Sequence, residues 1–137
     1  MWKMYALLAA VFASFTAIFS KIGVKEIDSN LATAIRVSFI FLLTWGLVFF
    51  TGTTKEIRAI SGNTLFFLFL SAIATGLSWL FYFKALQLGD VSKVAPIDKL
   101  SVAITIFLAI LLLNEPASFK TIIGGILITC GSLVLLL

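Results

Sequence analysis

Residues 59–83 read AISGNTLFFLFLSAIATGLSWLFYF, 25 residues without a charge. A helix needs roughly 20 mostly apolar residues, within a range of about 17–25, to cross the hydrocarbon core of a bilayer. This stretch satisfies that condition and predicts a transmembrane helix over about 63–86. Outward in both directions the same pattern recurs. Met4 to Ser20 is an uncharged run of 17 between Lys3 and Lys21. Val37 to Thr54 is a run of 18, extended backward from Arg36 to Leu31. Leu100 to Asn114 gives 15, too short alone, so that helix is expected to begin near Lys93 and to carry Asp98 and Lys99 inside it. Thr121 to Leu137 gives 17 more. The expected fold class is therefore an all-α integral membrane protein with five transmembrane helices, over about 4–20, 31–51, 63–86, 93–113 and 119–137, in a single domain over residues 1–137.

Composition agrees with this assignment. Of the 137 residues, 61% are hydrophobic and 12% charged, and the mean hydropathy is +1.18. Soluble domains run nearer 45–50% apolar and about 25% charged, and a water-soluble fold of this length has too little polar surface to cover so much apolar side chain. The loops carry matching punctuation. Glu26 to Asn30 supplies capping side chains ahead of the second helix, and Gly52 with Ser61-Gly62-Asn63 brackets a charged loop. Gly89 is placed to stop the third helix, Asp90 and Ser92 to cap the fourth, and Glu115-Pro116 to end it. The first helix is expected to be retained rather than cleaved as a leader, because more membrane and no soluble domain follows it.

Several function classes have no footing here. There is no histidine, and one cysteine, Cys130, cannot form an intrachain disulfide. No HExxH, CxxC, phosphate-loop or GxGxxG pattern occurs, and no nucleophile–base pair or metal cluster is visible. We expect no enzyme, no cofactor, no metal and no nucleic-acid partner. The net charge of +4 suits anionic lipid neighbours.

With five spans the termini lie on opposite sides. Lys3, Lys55, Arg58 and Lys120 then share one side, and Lys21, Lys25, Lys84 and Lys93 the other, four against four, with Arg36 and Lys99 deeper and near the second side. Orientation follows lysine and arginine bias. An even count leaves two readings: a modest bias hidden in loop details, or dual topology, with copies inserted both ways.

The helix faces carry the candidate site. Ser71, Thr75, Ser78 and Tyr82 align at spacings of 4, 3 and 4, with Trp79 beside them. Such a stripe in lipid turns toward protein or a watery cavity, although Trp79 and Tyr82 also suit an interfacial belt. In the fourth helix Asp98, Ser101 and Thr105 share a face, and Pro96 frees a carbonyl one turn earlier and can bend the helix. Charges inside a span are costly and functional by default. Asp98 and Lys99 point about 100° apart on a helix and are expected to be poor partners for each other, so Arg36, about two turns into the second helix, is a candidate partner for Asp98. Small residues repeat at Ala6, Ala10, Ala13 and Ala17, and again at Thr121, Gly125, Thr129 and Ser132, with Gly124 and Gly131 beside that stripe. Such stripes allow close helix packing, within the chain or, for the last helix, between chains.

The stretch Trp79 to Leu100, the turn Leu113-Asn114-Glu115-Pro116 and the run Ile122-Ile123-Gly124-Gly125-Ile126-Leu127-Ile128 closely resemble the EamA family of the drug/metabolite transporter superfamily. The likeness covers the chain and is most specific from Phe81 to Gly125. One departure is Asn114, where the family usually has Gly. The resemblance implies a transporter. Typical members have ten helices in two inverted five-helix repeats around a central cavity, and this chain looks like one repeat. A single half cannot build both walls of such a site, but an antiparallel homodimer can, and the even charge count agrees. The small multidrug resistance proteins of the same superfamily are less similar: they have four helices and a carboxylate in the first, whereas Met4 to Ser20 contains no acid.

The expectation is thus a plasma-membrane transporter of small metabolites, amino acids or drug-like solutes among them. It would act as an antiparallel dual-topology homodimer with alternating access. Asp98, Lys99 and Arg36 would set charge selectivity, Trp79 and Tyr82 would contact the small-molecule substrate, and the last helix, over about 119–137, would hold the dimer. Two rivals are a non-transporting assembly subunit or half of a heteromeric transporter, and a flippase of lipid-linked substrates. The first predicts mutable cavity residues, the second a laterally open cavity with cations holding phosphate.

Overall fold

The computed structural model describes residues 1–137, and every regular element is helical. In chain order these are α1 (Trp2–Gly23), α2 (Ser29–Thr51), a 3-10 helix (Thr53–Ala59), α3 (Gly62–Leu88), α4 (Val91–Asp98), α5 (Leu100–Leu113) and α6 (Phe119–Val134). Four stretches are long and apolar enough to cross a membrane: α1, α2, α3 and the tandem α4–α5 over Val91–Leu113. At 16 residues, α6 is a shorter apolar helix, about 24 Å long at 1.5 Å per residue.

Local chemistry explains the helix ends. Asp28 caps α2, its Oδ1 accepting from the backbone N–H of Asn30 at 2.8 Å and of Leu31 at 3.2 Å. Gly52 closes α2 at φ +72°, a left-handed conformation that glycine adopts without a Cβ penalty. Ser118 caps α6, accepting from the N–H of Thr121 at 3.1 Å. Asp90 occupies the N-cap position of α4, but its side chain makes no capping bond. Asn114 ends α5 at φ 53°, ψ 33°. Asparagine is the residue after glycine that best tolerates this region, so the turn survives the replacement noted above.

The fourth helix is not continuous. It breaks at Lys99, whose N–H reaches back only three residues, to the Pro96 carbonyl at 3.0 Å. Proline at position 96 removes one donor from the ladder, and the tighter turn follows three residues later. Asp98 therefore belongs to α4, while Ser101 and Thr105 belong to α5.

The chain divides into two compact units, residues 19–87 and residues 1–18 with 88–137. In the first, Val24 and Leu86 are fully enclosed and Phe83 is buried. The end of α1 is tied to the end of α3 through Lys21 Nζ, which donates to the Leu86 carbonyl at 2.6 Å. Gln87 Nε2 donates to the carbonyls of Val24 at 3.3 Å and Ile27 at 2.9 Å. In the second unit α5 packs on α6. Gly125 is buried, and a Cβ there would lie 3.0 Å from Ile106 Cδ1. Ser132 is buried and donates to the Pro96 carbonyl at 2.8 Å, filling the acceptor that the helix break leaves underused. Part of the small-residue stripe expected between chains thus packs within one. Gly124 and Gly131 have open space where a side chain would begin, and Thr129 Oγ1 bonds back to the Gly125 carbonyl at 2.8 Å.

Candidate functional site

The α2–α3 unit builds a cation–aromatic group. Arg36 enters from the N-terminal half of α2, Trp79 and Phe83 from the C-terminal half of α3, one turn apart. The guanidinium carbon of Arg36 lies 4.2 Å from the centroid of Trp79 and 5.6 Å from that of Phe83. Both distances fall within the range of favourable cation–π attraction, and the contact strengthens where water is excluded. Arg36 is half-buried, and its Nη1 has no hydrogen-bond partner. Tyr82 is half-buried on the adjoining face of α3. The polar stripe continues along α3 through Ser78, Thr75 and Ser71, all exposed in the single chain. Thr75 Oγ1 donates to its own helix at the Ser71 carbonyl, 2.8 Å away. The hydroxyls of Ser71 and Ser78 find no partner in the chain.

The α4–α5 unit holds the other charged group. Asp98 and Lys99, expected to be poor partners, form an ion pair at 3.3 Å. The regular helix ends between them, so the 100° rule does not govern the second residue, and the long lysine side chain curls back. Side-chain exposures of 53% for Lys99 and 37% for Asp98 place this pair among those contributing at most about 1 kcal/mol. Thus Asp98 takes its charge partner from the next residue, and Arg36 takes aromatic rings. Ser101 and Thr105 are exposed on α5. No group of acids, cysteine and histidine gathers to hold a metal.

The sequence named Arg36 and Trp79 separately but not their stacking, because no periodicity rule relates residues on two different helices. Phe83 was missed. Its signal was its place four residues after Trp79, on the same face of α3.

The chain matches the EamA-like transporter family over residues 1–137. It belongs to that family. A relative from Sinorhizobium sp, an uncharacterized transporter in the cobO 3' region, is 43% identical over 134 residues, covering 98% of this chain and 95% of the relative. That relative is therefore also of half-size length. No solved structure matches. As an EamA-like protein this chain is a multi-pass membrane transporter of half size.

Proposed function

We propose that this chain transports small metabolites, amino acids or drug-like solutes among them, across the plasma membrane as an antiparallel dual-topology homodimer. In this arrangement α6, with the residues after it, makes a fifth crossing, so the chain equals one repeat of a ten-helix inverted-repeat transporter. A second, inverted copy supplies the other repeat. The observation that carries this is the hydroxyl stripe of α3: Ser71 and Ser78 are exposed and unpartnered in one copy. Polar groups on an apolar helix turn to protein or to a watery cavity rather than to lipid. A second copy provides both. The even split of lysine and arginine supports insertion in both directions.

Arg36, Trp79 and Tyr82 would contact solute, with Ser71, Thr75 and Ser78 along the path. The break at Pro96 to Lys99 would let α4 and α5 move as separate rods when the copies rock about the site. Asp98 and Lys99 at that break would bias which charges pass. Gly124 and Gly131, open on α6, would pack against the partner copy.

The test is topology. Single cysteines near each terminus in a Cys130→Ser background are labelled from outside intact cells. Labelling of each terminal site in about half the molecules is the expected result. A terminus that is always outside would remove the antiparallel pair, and with it the geometric basis of the transport site.

A further inference from the structure

Lys3 lies over one ring, Trp2, at 5.7 Å and is exposed, whereas Arg36 meets two rings and is half-buried. It lies 4.2 Å from the Trp79 centroid, its Nη1 is buried without a hydrogen bond, and it takes part in no ion pair. The rings cover part of the guanidinium and leave Nη1 as a donor without a partner on its N–H edge. That edge is a planar fork whose geometry matches a carboxylate or phosphate with two parallel hydrogen bonds. The rings also hold the group still, so less freedom is lost when a ligand binds.

The surroundings favour the same sign of ligand. Lys21, Lys25 and Lys84 lie at this end of the unit, against Glu26 and Asp28. Of these acids Asp28 is engaged in capping α2. An excess of positive charge raises the local concentration of anions. A buried charged donor left unpaired is costly, so an incoming oxyanion both gains its own bonds and relieves that cost.

We propose that Arg36, mounted on Trp79, recognises a small anionic solute through a carboxylate or phosphate group. The solute being cargo rests on the transporter function proposed above, whereas its binding does not. The anionic group can come from a soluble organic acid or from a lipid headgroup, and the experiment separates them.

The full chain, carrying Trp2→Phe and Trp45→Phe so that Trp79 alone fluoresces, is titrated in neutral detergent. The probes are butyrate and inorganic phosphate, with butylamine as a size-matched cation. Saturable change in Trp79 emission is expected with the anions and not with butylamine. Affinity should fall more than about tenfold in Arg36→Gln and less in Arg36→Lys, which keeps the charge but loses the fork. Circular dichroism confirms that both variants are helical. An Arg36-dependent response to phosphatidylglycerol nanodiscs alone assigns the anion to lipid and supports the site. Equal binding of butylamine, unchanged anion affinity in Arg36→Gln, or no response to any anion overturns it. Solute flux is read separately in vesicles. Arg36-dependent binding without flux overturns the transport function and keeps the site. Flux without Arg36-dependent anion binding overturns the site alone.

Discussion

Gly125 and Gly124 are neighbours on α6 with opposite surroundings. A Cβ on Gly125 would meet Ile106 Cδ1 at 3.0 Å, whereas nothing in the chain lies within 4 Å of one on Gly124. Gly125→Leu is therefore expected to overpack the α5–α6 contact and to destabilise the chain by about 1–3 kcal/mol. The measurement is the midpoint of denaturation by detergent, followed by circular dichroism. Gly124→Leu should leave that midpoint unchanged while lowering the yield of cross-linked dimer, because the proposed dimer packs this open face against the second copy. In the sequence Gly125 shares a stripe with Thr121, Thr129 and Ser132, and Gly124 lies beside it. Which of them the chain covers depends on the rotation of α6 against α5, and spacing alone does not define that angle.

At the scale of the element, caps and breaks are where sequence and structure agree least evenly. Asp28 and Asp90 both precede helices, yet only Asp28 accepts from backbone N–H groups. Asp28→Ala is expected to cost about 1 kcal/mol of unfolding free energy, and Asp90→Ala close to nothing, in the same denaturation assay. The α4–α5 tandem gives a second prediction. Restoring a donor at position 96 with Pro96→Ala lets the Ser92 carbonyl regain its helical partner. We expect higher resistance to denaturant and slower solute flux, because a stiffer tandem resists bending. Equal or faster flux at raised stability would show that the break is not a moving joint. The proline was legible as a bend, but the ion pair beside it was not, since an ideal helix assigns Asp98 and Lys99 divergent directions.

The whole molecule is poorly covered by itself. Five large or small apolar side chains, Ala17, Val24, Ala32, Phe83 and Leu86, are buried, while phenylalanines and leucines line the outside of every spanning helix. Lipid is the surrounding that suits such a surface. With the five crossings proposed above, orientation in that lipid rests on four loop cations against four. Adding two on one side, with Thr54→Lys and Ser61→Lys, should turn a mixed population into one with the Lys55 side in the cytoplasm. Terminal cysteine labelling reads the change. Flux should fall with it and return when a variant biased the other way is expressed in the same cells. Flux that survives a single fixed orientation would argue for a parallel assembly.

Sequence by itself determined the solvent, the positions of the apolar helices and the residue types available to the site. Runs of uncharged residues and the charges between them act locally, through the cost of moving each side chain into hydrocarbon. Only tertiary structure decided that Arg36 lies on Trp79 and Phe83 rather than against an acid, that Asp98 pairs with Lys99, and that Ser132 closes the Pro96 carbonyl. The stacking and the Ser132 contact join residues far apart along the chain. The Asp98–Lys99 pair, though adjacent, depends on where the helix breaks. All three are set by how helices rotate and pack, a quantity summed over many weak contacts rather than carried by any one residue.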